Sequence, residues 1–267
     1  MQTTVNYLSK VEVGVSMLYL LSEPFSKVIE TLAKTSIRHV ELVDDGLHAL
    51  DRRRALKLKE IGKSFSLRFS VHAPFADINI ASPSNYILRA IMKRLKKSIG
   101  FAGLLEVDVW VFHPGLKTGV SMFYPGADWT RNCESARTLY KIAEDYGLRV
   151  AIENVPEPYP FLMKSVEHFE KFYNEVNEDI GLALDVGHAN INGQMELFLK
   201  TFPNKIVHIH AHDNHGREDE HLGIGHGSIN WEKFAQLLRE IAYNKAVVIE
   251  SVERIEESIR RLKALLT

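Results

Sequence analysis

The sequence predicts a single (β/α)8 barrel formed by residues 1–267 as one domain. Three observations carry that expectation. Eight short apolar runs rich in β-branched residues alternate with longer stretches of helical period. The alternation fills about 250 residues, the usual length of such a barrel. No linker, composition shift, short-period repeat or low-complexity segment divides the chain into two doubly wound halves.

In chain order, residues 11–16 read as a first strand and 24–34 as a helix with Pro24 near its start. Residues 37–43 form a second strand, and 50–63 a basic helix closing near Gly62. A third strand, 67–72, is stopped by Ala73-Pro74, and Ser82-Pro83-Ser84 opens a long helix to about Leu105. The fourth strand, 107–113, meets Pro114-Gly115, and a helix from Asp128 or Thr130 closes at Tyr146-Gly147. The fifth, 148–153, ends at Asn154-Val155-Pro156, before a Pro-rich loop and a helix over 165–176. Strand six covers 180–185, with a loop at Val186-Gly187-His188 and a short helix over 195–202. Strand seven covers 206–210, followed by a helix over 231–243, strand eight at 246–250 and a closing helix over 254–266.

Composition narrows the function classes. Thirty-three basic residues against 34 acidic give a net charge of −1, so no global pull toward nucleic acid exists. Arg52-Arg53-Arg54 and the basic run at 93–97 sit in helical patterns and read as solvated helix faces. Cys133 is the only cysteine, which excludes an intrachain disulfide and a cysteine-cluster metal site. No apolar run reaches the roughly 20 residues that span a bilayer. Lys10 and the interrupted apolar stretch 11–21 argue against a secretory signal, so a cytoplasmic enzyme without membrane partners is expected.

Five of the twelve histidines fall between His208 and His221. That stretch begins as a strand and ends as a polar loop, which reads equally as a metal site or as a histidine-rich surface loop. The other strand ends decide between them. Strands three to eight end in His72, His113, Glu153, Asp185, His210 and Glu250, and the following loops add His188, Asp219 and His221. In this architecture chemistry sits at the C-terminal ends of the strands. Carboxylates facing one another across a narrow mouth repel and resist burial unless a cation compensates. A divalent-metal site is therefore expected at His72, His113, Glu153, Asp185, His188, His210, Asp219, His221 and Glu250. Nine such groups exceed the roughly four that one ion needs, which points to two or three ions unless several bind substrate. His208 is expected one layer deeper, with His212 and His215 outside the ligand set.

The motifs then carry a resemblance. They are Val71-His72-Ala73-Pro74-Phe75, Asn79-Ile80-Ala81-Ser82-Pro83, Phe112-His113-Pro114-Gly115, Ile152-Glu153-Asn154, Asp185-Val186-Gly187-His188, His210-Ala211-His212-Asp213, Asp219-Glu220-His221-Leu222-Gly223-Ile224-Gly225 and Ile249-Glu250. In order and spacing, from strand three onward, the chain resembles the xylose isomerase-like barrels that include endonuclease IV. The endonuclease likeness implies a three-zinc site on all nine residues, with Glu153 and Glu250 as catalytic groups orienting the attacking water. The sugar isomerase and epimerase branch implies one Mn2+ or Mg2+ on Glu153, Asp185, His210 and Glu250, with Glu153 and Glu250 as acid and base and His188 on the substrate.

Departures from endonuclease IV are visible. The first strand reads Val13-Gly14-Val15-Ser16-Met17-Leu18 without that enzyme's His-containing glycine pattern, and the strand-two loop reads Asp44-Asp45-Gly46-Leu47-His48. Two acidic residues there suit a phosphate backbone poorly. Phe75 stands where the likeness puts a DNA-inserted tyrosine and is expected to stack on a base or sugar. Glu41 matches a glutamate of the sugar-isomerase branch and is an expected substrate contact, a structural role being the alternative. Loops 116–126 and 155–163 frame the pocket, and Phe123, Tyr124, Trp129 and Tyr159 either stack on substrate or pack the loops. Two main readings stay open: a multinuclear zinc-type hydrolase of abasic DNA or another phosphoester, and a mononuclear sugar or sugar-phosphate isomerase or epimerase.

Overall fold

All eight expected strands form, and they pair in chain order until the last meets the first. A computed structural model of the chain describes residues 11–266; Lys10 and the rest of 1–10, with 267, lie outside the described residues. The strands are β1 (Glu12–Ser16), β2 (His39–Val43), β3 (Arg68–His72), β4 (Trp110–Phe112), β5 (Val150–Glu153), β6 (Gly181–Asp185), β7 (Ile206–Ala211) and β8 (Ala246–Ile249). Every neighbouring pair is parallel, and β8 closes the barrel on β1 through Val13 opposite Val247 and Gly14 opposite Val248. A parallel closed sheet needs a crossover after each strand. These are α1 (Phe25–Leu32), α2 (Arg52–Phe65), α3 (Asn85–Leu105), α4 (Ala127–Glu144), α5 (Val166–Glu175), then α6 (Val186–Ile191) with α7 (Met195–Thr201), α8 (Trp231–Glu240) and α9 (Ile255–Leu266).

Helix starts follow side-chain capping. Asp51, Ser84, Ser165 and Asn230 each accept a backbone N–H from the first turn of α2, α3, α5 and α8. The segment after β6 departs from expectation. Residues 186–188 are not a loop but the start of α6, because the Asp185 carboxylate caps the His188 N–H at 2.7 Å. Strand and helix thus share a hinge residue, and His188 is held on a rigid turn.

Two apolar layers result. Trp110, Phe112, Phe169, Phe198 and Phe234, all fully buried, fill the space between barrel and helices. Inside the barrel, Val109, Val111, Ala151 and Ala183 form a small separate cluster. Period two then turns the next residue on each of those strands, namely His113, Glu153 and Asp185, to the same interior above them. In β7 a register shift pairs Ile206 with Leu182 but His208 with Ala183. Beyond that bulge His208, His210 and His212 share the inward face.

The basic and acidic segments have structural tasks. Arg94 binds Asp44, with Nη2 donating to Oδ1 at 2.7 Å and to the Asp44 carbonyl at 2.8 Å, while the Leu50 N–H donates to the same carboxylate. Asp45 Oδ2 accepts the Phe75 and Ala76 N–H groups at 2.9 Å each. The acidic pair thus stitches the β2 and β3 loops together, and Asp44 is fully buried, so it presents no charge to a ligand. Arg54 packs over the Phe25 ring and donates to the Leu47 and Ala49 carbonyls. No helix among the described residues is long and apolar enough to cross a membrane.

Removing Arg94 leaves a buried carboxylate with no counter-ion. Arg94→Leu is expected to destabilise the fold by about 3 kcal/mol in urea unfolding; a loss under ~1 kcal/mol would show that Asp44 does not depend on this pair.

Candidate metal centre

The nine residues singled out by sequence converge at the C-terminal mouth of the barrel. Four groups among the described residues place their N and O atoms within one ion's reach: His72, His113 and Glu153; Glu153, Asp185, His210 and Glu250; His188, Asp219 and His221 joined by His212; and, one layer down, Glu41, His208 and His210. Glu153 joins the first two. Its Oε2 lies 3.3 Å from His72 Nε2 and 3.2 Å from His113 Nε2. Its Oε1 lies 3.0 Å from His210 Nδ1. In the third group Asp219 Oδ2 lies 3.2 Å from His188 Nε2 and 3.3 Å from His221 Nε2.

The residues fit divalent cations. Glu153 Oε2, Asp185 Oδ2, Asp219 Oδ1 and His212 Nε2 are buried without a hydrogen-bond partner. Such atoms are costly unless something else satisfies them. The His72 and His113 contacts to Glu153 Oε2 lack hydrogen-bond alignment and match neighbouring donors on one ion. His210 Nδ1 and His188 Nε2 instead stand in hydrogen-bond geometry to Glu153 Oε1 and Asp219 Oδ2. The ring orientations agree. His72, His188 and His221 each place Nδ1 2.8 Å from a backbone carbonyl, those of Ala73, Asn154 and Glu250. Donating Nδ1–H there leaves the Nε2 lone pair facing the cavity.

Electrostatics follow from packing so many groups out of water. Burial disfavours charge on His72, yet Glu153 and Glu250 outweigh it and push its pKa up to about 9. Burial opposes protonation of His188 too, and Asp185 and Asp219 reverse it, to about 10. His221 rises to about 9 against its burial, driven by Asp219 and Glu250. The two catalytic candidates part. Burial favours the neutral form of both, but His210 and His113 hold Glu153 well below the usual carboxylate range, whereas Glu250, burdened by burial and by Glu153, is raised.

The sequence reading needs correction at three places. Glu41, an expected substrate contact, does not line the cavity. It is fully buried one layer down, with Oε1 3.0 Å from His210 Nε2 and Oε2 2.8 Å from His208 Nε2. His212, placed outside the ligand set, is fully buried inside it, 3.1 Å from Asp185 Oδ1 and stacked on His221 at 3.9 Å. Its spacing of two from His210 on a strand was the available signal. His188 belongs to α6 rather than to a loop. His208 lies deep, as expected, and His215 is exposed.

Scaffold residues complete the site. Asn154 accepts the Asp185 N–H at 2.7 Å and donates to the Asp185 carbonyl at 3.0 Å, locking the ends of β5 and β6. Asp213 accepts from Gly225, Ile229 and Trp231 Nε1, which folds the loop carrying Asp219 and His221 back over the mouth. Gly187 must be glycine because a Cβ there would overlap the His212 ring. Gly115 has the same constraint against Ala81.

A cavity of ≈ 430 Å³ opens above the groups. Leu18, Phe75, Val155, Pro156, Tyr159 and Phe161 wall it, opposite His72, His113, Glu153, His188, Asp219, His221 and Glu250. Phe75 lines the cavity, 5.5 Å from the His72 ring. Trp129 instead packs in the protein with Nε1 on Glu175, and Phe123 is 77% exposed; neither lines the cavity. No Lys or Arg is among the described lining residues.

Comparison with known proteins places this geometry in context. The family model described as "Xylose isomerase-like TIM barrel" matches residues 29–265. A crystal structure of a D-tagatose 3-epimerase-like protein superposes with a TM-score of 0.90 at 31% identity, covering 96% of this chain and 97% of that one. The D-psicose 3-epimerase of Ruminiclostridium cellulolyticum is 24% identical over 238 residues, 85% of this chain and 78% of its own. A probable endonuclease 4 of Aquifex aeolicus is 26% identical over 198 residues, 67% and 68% of the two chains.

The raised histidines generate a pH prediction for chelator-stripped protein. A folded-state pKa above the unfolded value of about 6.5 gives stability that is complete below pH ~6.5. That stability is lost as pH rises through about 9 for His72 and His221 and about 10 for His188. The thermal midpoint of stripped protein should therefore fall between pH 6.5 and 10. Zn2+ uptake should tighten over the same window and release protons, read by calorimetry in two buffers. A midpoint that climbs across that window contradicts the assignment.

Proposed function

Because the chain belongs to the xylose isomerase-like TIM-barrel family, we propose that it is a divalent-cation-dependent isomerase or epimerase acting on a small sugar. The cavity lining carries this reading: cation-binding donors face apolar and aromatic walls, with no Lys or Arg among the described lining residues. A phosphoester or a nucleic-acid backbone calls for cationic side chains along its path. A monosaccharide needs hydroxyl partners and ring faces on which its C–H surface can rest. Similarity to the tagatose- and psicose-epimerase proteins supports the same choice.

Glu153, Asp185, His210 and Glu250 would hold the principal cation, three carboxylates and one imidazole being a set that suits Mn2+ or Mg2+. When bound, that cation supplies a Lewis acid for the substrate carbonyl and its neighbouring hydroxyl. Glu153 ends β5 and Glu250 follows β8, so the two carboxyls approach a substrate from strands separated by β6 and β7. One takes the proton from the carbon beside the carbonyl, and the other returns a proton to that carbon or its neighbour. His188, with His72 and His113, orients hydroxyls, while Phe75, Tyr159 and Phe161 cover the ring and exclude water. The whole chain, 1–267, is taken to act as one domain.

A second reading rests on one specific observation. Three donor groups, together containing all nine expected ligands, lie side by side, which suits a two- or three-zinc hydrolase of a phosphoester such as abasic DNA. Similarity to the Aquifex endonuclease 4 supports it.

The test is incubation of Mn2+-loaded protein with free ketoses in D2O. Epimer formation with deuterium at the reacting carbon is expected, abolished by EDTA. Glu153→Gln and Glu250→Gln should each cut kcat by about 10²–10⁴-fold. Incision of an abasic duplex by protein retaining two or three zinc ions, with no ketose turnover, would overturn this reading in favour of the second.

A further inference from the structure

The donor group one layer below the mouth has no task in either functional reading, apart from His210. Glu41 on β2 faces His208 and His210 on β7 inside the barrel, and all three are at most 1% exposed. Glu41 Oε2 lies 2.8 Å from His208 Nε2, and Oε1 lies 3.0 Å from His210 Nε2. Short as these distances are, Oε1 and both Nε2 atoms have no hydrogen-bond partner, since a ring N–H there is not aligned with the oxygen. Ser70 Oγ donates to Oε2 at 3.1 Å, which leaves Oε1 unserved.

His210 shows what the group is built for. Its Nδ1 stands in hydrogen-bond geometry to Glu153 Oε1 at 3.0 Å, so the ring carries its proton on the upper nitrogen. The Nε2 lone pair then faces Glu41 Oε1, two electron-rich atoms held out of water. A second proton on Nε2 would not relieve this contact, because that N–H is misaligned. A cation between the atoms would. We propose that Glu41, His208 and His210 form a buried cation site of their own, with the Glu41 carboxylate and both Nε2 atoms as donors. The three donor atoms stand within 4.8 Å of one another, the span of one coordination sphere. Two imidazoles and one carboxylate suit Zn2+, whereas Mn2+ and Mg2+ favour oxygen. Enclosed at this depth, the ion meets no substrate; it neutralises Glu41 and ties β2 to β7. It also acts on the mouth. A neutral imidazole has one lone pair to give, so His210 bound below leaves the upper cation to Glu153, Asp185 and Glu250, an all-oxygen set that favours a hard ion.

The inference does not depend on the choice between epimerase and hydrolase. Full-length protein is saturated with Zn2+, freed of excess metal by gel filtration and assayed for zinc per chain. Glu41→Gln and His208→Asn, neither of them an upper donor, are each expected to carry one equivalent fewer than wild type. Crystals of zinc-loaded wild type supply a readout that needs no variant: anomalous difference density at the zinc absorption edge should place an ion among the Glu41 carboxylate and the two Nε2 atoms. Zinc confined to the mouth in those crystals, or variants carrying as many equivalents as wild type, overturns the inference and leaves the proposed function standing. An ion at the lower site in protein that turns over no ketose supports the inference and overturns the proposed function alone.

Discussion

Everything at the barrel mouth depends on the cost of removing carboxylates from water. Glu41, Glu153, Asp185 and Glu250 are each at least 95% buried, and they stand within one polar cluster. Imidazoles stand among them, yet Glu153, Asp185 and Glu250 keep oxygens within 4.8 Å of one another. Beneath these groups the barrel interior is filled by a small apolar cluster of Val109, Val111, Ala151 and Ala183. A barrel interior is ordinarily layered with bulky aliphatic side chains. Here the upper layers are given over to charge, and the large aromatics that stabilise the molecule lie outside the barrel, under the helices.

Much of this was legible in the sequence because strands have a period of two and the barrel has a single chemical end. His72, Glu153, Asp185 and Glu250 could be placed from the last residue of an apolar run alone. Residues whose importance lies in what they hold were not. Asn154 and Asp213 read only as parts of short motifs, yet one ties two strand ends together and the other accepts four N–H groups to fold the loop bearing Asp219 and His221. Glu41 was visible as a strand residue, but depth in the barrel depends on register between strands. No local pattern reports that register, and β7 carries a bulge as well. His212 shares the period-two spacing of His208 and His210 but falls one residue past the end of β7.

The two functional readings differ less in their ligands than in what surrounds them. The acidic strand-two loop does not weigh against DNA as its charge suggested, since Asp44 is neutralised by Arg94 and Asp45 is spent on backbone N–H groups. The weight moves to the walls of the cavity. Leu18, Phe75, Tyr159 and Phe161 suit a substrate with C–H faces, and the described lining offers a polyanion no cationic partner beyond the ions themselves.

Glu153 sends one oxygen toward His72 and His113 and the other toward His210. A carboxylate divided in this way cannot serve two ions independently. Charge drawn to one oxygen is withdrawn from the other, while the ring geometry that the first ion imposes is already in place for the second. Whatever the balance of those opposing effects, filling either position changes the affinity of the other by the same factor, whichever is filled first. Two ions at this mouth, were both to bind, would therefore be linked through the Glu153 carboxylate.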